Sequence, residues 1–180
     1  MAETLGKNIF LVDASGLKQQ ILGKEITLKE IQIIRKFPDA LIVKMESRKP
    51  LAVLAWQNKN FLVDQSGFVF SQDLSNQPSL PLINILEYQK PILGNFVDSE
   101  VGKAITLVSI LKDFYLPVKA ITLEKNLSLT VLTGDHIAVF STEKSFNLQA
   151  STLQLILRSS KINQTEKIDL RYEKPIIVNE

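Results

Sequence analysis

The chain has 180 residues, 45% of them hydrophobic, with 21 basic and 19 acidic side chains and a formal net charge of +2. That length suits one domain or two small ones, and the apolar content with only seven Gly and seven Pro excludes a disordered chain. Scattered, nearly balanced charge excludes a nucleic-acid stripe, and the absence of Cys excludes disulfides and thiolate metal sites.

No apolar run approaches the about 18 residues of a membrane span. The start, MAETLGKNIF, has neither the basic beginning nor the apolar stretch of a signal peptide. Taken by itself the chain therefore reads as soluble and untargeted. A short apolar segment, Asn8 to Val12, comes first. Asp13 or Ser15 is placed to cap a helix over Leu17, Ile21 and Leu22, and Gly23 to end it. Ile31 and Ile33 share one strand face. Pro38-Asp39 marks a turn, with Pro at its second position and Asp at its third. Leu41, Val43 and Met45 then alternate with Ile42, Lys44 and Glu46, the period of a half-buried strand.

Lys49-Pro50 interrupts this run, and because Pro cannot donate to a ladder, a bulge or a change of sheet is expected there. A domain boundary is placed beside it, dividing the chain into 5–50 and 51–180. Leu51 to Trp56 and Asn60 to Val63 read as strands joined by Gln57-Asn58-Lys59. Asp64-Gln65-Ser66-Gly67 turns into Phe68-Val69-Phe70, Gly67 supplying a positive φ. The polar stretch from Ser71 to Pro81 is a surface loop, and Leu80-Pro81-Leu82-Ile83 is expected to drape over the sheet.

Asp98-Ser99-Glu100 begins a helix that carries Val101, Ile105, Val108, Leu111 and Tyr115 on one face and stops at Pro117. Strands follow at Ala120 to Glu124, Leu127 to Leu132 and Ile137 to Phe140, the last two joined at Gly134-Asp135. A second helix aligns Phe146, Ala150, Leu153 and Leu157. The closing element, Lys167 to Val178, reads as one strand.

Chemistry is scarce. His136 is the single histidine, placed at a hairpin tip where a solvated turn histidine is the ordinary case. Gly102-Lys103 evokes a phosphate-binding loop, but Val97 stands where Gly is required and Ala104 where Ser or Thr would bind Mg²⁺. Of the carboxylates Asp64, Asp98, Asp135 and Asp169, three fall at turns or caps that explain Asp without catalysis. Trp56 with Phe68 and Phe70 reads as hairpin core rather than an aromatic binding stripe. The residues describe a β-rich binding domain, no enzyme, with no cofactor or metal. If Lys167 to Val178 lies at a sheet edge, it invites strand addition, whereas Glu173, Lys174 and Pro175 could equally block it.

The order of motifs resembles the bacterial cell-division family FtsQ (DivIB). Leu5 to Phe10 with Val12-Asp13 looks like the entry to the second helix of a POTRA domain. Arg35-Lys36-Phe37-Pro38 with Leu41 and Val43 looks like its hairpin, and Glu46, Arg48 and Pro50 like its exit. Leu62-Val63-Asp64 with Gly67 and Phe70 matches the first hairpin of the β domain, Leu80-Pro81 the segment after it, and Ile168-Asp169-Leu170-Arg171-Tyr172 the closing strand.

The resemblance implies an α+β fold: an incomplete POTRA domain (αββ) over 5–50, lacking its first strand and helix, then over 51–180 a mostly antiparallel β domain with two helices. One departure from the family pattern is Phe140-Ser141, where Leu-Gly usually follows the hairpin. The implied function is that of a non-enzymatic division scaffold. FtsB-like and FtsL-like partners would add a strand at the C-terminal strand, contacting Ile168, Leu170, Tyr172, Lys174 and Ile176. The implied location is the extracytoplasmic face of the cell membrane, single-pass anchored in the full-length protein. The alternative class is a POTRA-type chaperone or secretion module that binds extended polypeptide.

Overall fold

A computed structural model describes residues 9–72, 79–124, 127–159 and 166–179. The chain divides into two compact units, Met1–Lys49 and Pro50–Glu180.

In the first unit, helix α1 (Ala14–Lys24) is followed by an antiparallel hairpin of β1 (Leu28–Lys36) and β2 (Ala40–Ser47). Asp13 caps α1, its Oδ1 accepting from the backbone N–H groups of Ser15 and Gly16, both at 3.0 Å. The helix runs one residue past Gly23. The hairpin turns at 37–39, where the Phe37–Pro38 bond is cis. Two arginines tie the unit together. Arg35 donates to the carbonyls of Ile9 (3.0 Å) and Val12 (2.8 Å), and Arg48 to that of Ile26 (3.2 Å). The core is thin: only Ile9, Val12 and Ile31 are buried among the described residues, and α1 buries none of its side chains.

The second unit is one nine-stranded mixed sheet in the order β11-β10-β9-β8-β7-β6-β3-β4-β5. Its strands are β3 (Pro50–Trp56), β4 (Lys59–Asp64), β5 (Val69–Ser71), β6 (Leu82–Asn84), β7 (Val118–Glu124), β8 (Ser128–Thr133), β9 (His136–Ser141), β10 (Glu166–Asp169) and β11 (Ile176–Asn179). Five of the eight pairings are antiparallel; β3–β6, β6–β7 and β9–β10 are parallel. Helices α2 (Ser99–Asp113) and α3 (Phe146–Arg158) supply the buried apolar faces that complete the main core.

Register aligns one row of side chains across this sheet. Phe61, Leu54, Ile83, Ile121, Val131, Ala138, Ile168 and Ile177 are successive partners from β4 to β11. Every member is buried except the last, Ile177, which is 46% exposed. A smaller cluster of Val53, Leu62 and Phe70 lies on the opposite face, with Phe68, Leu80 and Leu82 packed against it.

Several expectations are corrected. Leu82-Ile83 does not drape over the sheet; it is β6, a central strand parallel to both neighbours. The β3–β4 loop is the two residues Gln57-Asn58, since Lys59 already pairs with Trp56. Tyr115 leaves the helical face: α2 ends at Asp113, and Tyr115 takes φ +57° at the cap and is almost fully exposed. Trp56 and the two phenylalanines part to opposite faces, Trp56 joining the helix-side core and donating Nε1–H to the Tyr88 carbonyl at 3.1 Å. Lys167 to Val178 is two strands separated by a loop at 170–175. Of the Ser71 to Pro81 loop, residues 73–78 lie outside the described residues.

The β5 end of the sheet depends on Gly67, at φ +83°. The Asp64 carboxylate accepts from the N–H groups of Ser66 and Phe68, and Gly67 N–H donates to the Asp64 carbonyl at 3.0 Å. A Cβ at Gly67 would stand 3.2 Å from Cγ2 of Val97. Gly67→Val therefore meets both a left-handed backbone costing about 1–2 kcal/mol and a crowded neighbour. A thermal melt should show its midpoint several degrees below the parent. Hydrogen exchange should separate the two units, with weak protection over 9–49, where the core is thin, and strong protection in β3, β4 and β7 to β9.

Candidate functional site

The C-terminal end of the sheet is where the buried row runs out. β10 pairs with β9 on one side and with β11 on the other, so β11 is the outer strand. Among the described residues no strand pairs with the outer side of β11. Its three apolar residues, Ile176, Ile177 and Val178, are each close to half exposed.

The break between the two strands is made by Asp169. Its Oδ1 accepts from the backbone N–H of Arg171 at 3.0 Å, which bends the chain away from the ladder. The same carboxylate receives the Arg171 guanidinium bidentately, Nη2 at 2.6 Å and Nε at 3.0 Å. Asp169 is buried, and the hydrogen bond from the Arg171 side chain holds its carboxyl below the usual carboxylate range against the opposing effect of burial. The Arg171 guanidinium also lies over the Tyr172 ring, 5.9 Å from its centroid. Tyr172 is 54% exposed. Pro175 then delays the return to the ladder, having no N–H to give.

Beside this loop is a groove of about 400 Å³ against the first turns of α3, lined by Leu148, Gln149, Thr152, Leu170, Tyr172 and Pro175. Leu148 is largely exposed at its wall. Gln149 is fixed there: its Oε1 accepts from Ser141 N–H at 2.8 Å, and its Nε2 donates to the Ser141 carbonyl at 3.0 Å.

The five residues expected to meet a partner fall in three settings. Ile168 and Leu170 are buried, and Leu170 N–H donates to the Val139 carbonyl at 2.9 Å, so their side chains face the protein's own core. Tyr172 and Lys174 are exposed on the loop, and Ile176 lies on the edge strand. Reading 167–178 as one strand put the even-numbered residues on one face. The loop resets that phase, and Ile177 at the end of the row was missed. Its signal was present as the uncharged β-branched run Ile176-Ile177-Val178 after Pro175.

The polar residues elsewhere have structural work. Asp98 caps α2, accepting from Val101 N–H at 2.9 Å; Asp135 pairs with Lys119 at 3.0 Å; Asp64 shapes its turn. His136 is not a solvated tip residue, for it is half-buried as the first residue of β9 and its Nδ1 is buried. Among the described residues no group of three or more His, Asp or Glu could hold a metal ion.

Residues 54–171 match the family described as cell division protein FtsQ/DivIB, C-terminal. The chain is 24% identical to a cell division protein FtsQ of Rickettsia prowazekii over 83% of its own length and 54% of the relative's. It is 26% identical to that of Syntrophotalea carbinolica over 96% of the chain and 64% of the relative. A shorter stretch, 36% of the chain and 24% of the relative, is 32% identical to the FtsQ of Rickettsia typhi. The chain thus spans less than two thirds of the length of these relatives.

The Asp169–Arg171 pair has a calculable pH signature. A carboxyl held low in the folded state stabilises the fold above its unfolded pKa near ~3.9, and the contribution disappears as pH falls through the lower folded value. Asp169→Ala should cost about 1–3 kcal/mol at neutral pH by removing the charge-assisted bonds that the carboxylate accepts from the Arg171 backbone N–H and guanidinium. In chemical unfolding, the gap between parent and variant should close as the pH is taken below about 4.

Proposed function

Because the chain belongs to the FtsQ/DivIB family of cell-division proteins, we propose that it serves cell division as a non-enzymatic scaffold, and that β11 is the edge on which a partner lays a strand. The observation that carries this reading is the half-exposed end of the buried row at Ile177, on a strand whose outer side pairs with nothing among the described residues. An added strand would gain main-chain hydrogen bonds from β11 and place alternate side chains beside Ile177 and along the groove at Leu148 and Tyr172. Tyr172 is the natural anchor, an exposed aromatic held from behind by Arg171. The partners are FtsB-like and FtsL-like division proteins.

The helix–strand–strand order of the first unit supports reading 5–50 as the αββ part of a POTRA domain, with 51–180 as the FtsQ-type β domain. Among the described residues no helix is long and apolar enough to cross a membrane. The scaffold works at the extracytoplasmic face, held by an anchor belonging to the full-length protein.

Calorimetry against a synthetic peptide carrying the C-terminal segment of the cognate FtsB-like protein tests this. Tyr172→Ala should weaken binding well over tenfold, since truncating such an anchor costs about 2 kcal/mol or more. The melting temperature should stay close to that of the parent, because the ring is exposed. The peptide should also slow hydrogen exchange at 176–179. Unchanged affinity in Tyr172→Ala, with unchanged exchange at 176–179, would mean that β11 is merely a closed end of the sheet.

A further inference from the structure

We infer that β11 also pairs with β11 of a second copy of this chain, edge to edge across a two-fold axis, so that self-association and partner docking compete for one strand. The inference rests on the same reading of β11 as an open edge, and it names a second occupant.

Three observations carry it. The first is self-complementarity. Centred on Ile177, an antiparallel two-fold pairing sets Ile177 against Ile177 and Ile176 against Val178, so the three apolar residues of each strand meet apolar residues, while Asn179 falls opposite Pro175 at either end. The Ile177 pair would continue the row that begins at Phe61 and is buried as far as Ile168. The second is the absence of a blocking device within the strand. Edges are ordinarily blunted by Lys, Pro or a bulge. Here Lys174 and Pro175 precede β11, while Ile176 to Asn179 contains no charge, and β11 pairs with β10 in unbroken register.

The third is the asymmetry of the sheet. Its other end is closed: Val69 N–H donates to the Asn95 carbonyl at 2.9 Å, Gly94 N–H donates to the Val69 carbonyl at 2.8 Å, and Phe68 bridges to Phe96. With one edge of this nine-stranded sheet open among the described residues, pairing through it does not propagate along the sheet. It closes at two copies, giving an isologous dimer instead of a fibre. Four residues a side make a small interface, in the weak and transient class below about 1,200 Å². A dimer of that strength is displaced by a partner that adds contacts at Tyr172 and the groove.

The chain has no cysteine, so a single introduced thiol reports the register. Opposed residues in an antiparallel pair have Cα atoms about 4.5–5.5 Å apart, within the range a disulfide spans. Ile177→Cys should therefore cross-link to a dimer under mild oxidation at least tenfold faster than Ile176→Cys, whose own counterpart lies about 7 Å further along the strand. Sedimentation of the parent at rising concentration should show a monomer–dimer equilibrium that Ile177→Lys abolishes.

Equal cross-linking of the two variants, or a dimer that persists in Ile177→Lys, would overturn the inference. A chain that stays monomeric yet binds the FtsB-like peptide overturns self-pairing alone and leaves the docking reading standing. Suppression of Ile177→Cys cross-linking by the peptide supports both occupants of the edge. Register-specific cross-linking that the peptide does not alter supports self-pairing and counts against docking there.

Discussion

A single row of side chains holds the larger unit together. From Phe61 through Leu54, Ile83, Ile121, Val131 and Ala138 to Ile168, each residue is the ladder partner of the next, and each is buried in or beside the core that α2 and α3 complete. A slip of one residue in any strand would turn its member of the row to the other face. Burying one such aliphatic side chain is worth about 1.5–3 kcal/mol, so the register of seven strands is set jointly by this alignment. The three-residue β6 depends on it most, being too short to hold a place except between β3 and β7.

The two ends of the sheet are treated differently, and the proposed function follows from that. At the β5 end, Gly67, the Asp64 carboxylate and the 94–97 segment consume the edge hydrogen bonds. At the other end Asp169 spends its carboxylate on Arg171, which bends the chain, presents Tyr172 and sends Ile176 to Asn179 back along β10 as a strand whose outer side no other described strand covers. One partly buried ion pair thus fixes both the exposed aromatic and the outer strand.

The smaller unit shows what happens with little core. A helix with no buried side chain and a two-stranded hairpin cannot bury much apolar surface, and two arginines bonded to main-chain carbonyls take over the job of fixing its segments. Arg35 and Arg48 stand out in the sequence as motif residues, and the structure assigns them this tethering role.

Local chemistry alone determined much of the chain. Asp13 and Asp98 as caps, the turn at Gly67 and the apolar faces of α2 and α3 follow from short-range rules of hydrogen bonding, backbone sterics and helical period. The strands β2, β3, β4 and β7 to β9 were legible for the same reason, each pairing with its neighbour in sequence. What only the tertiary structure decided lies in the non-local pairings. β6 carries no readable period of its own, and its place is created by ladder partners 29 positions away on β3 and 38 on β7. The division of 167–178 into β10 and β11 depends on β9 receiving Ile168 and on Asp169 turning inward to meet Arg171. Alternation along a sequence records which residues share a face while the strand continues. It carries no mark of where a folded partner stops the strand, and that stop is what left Ile177 at the open end of the row.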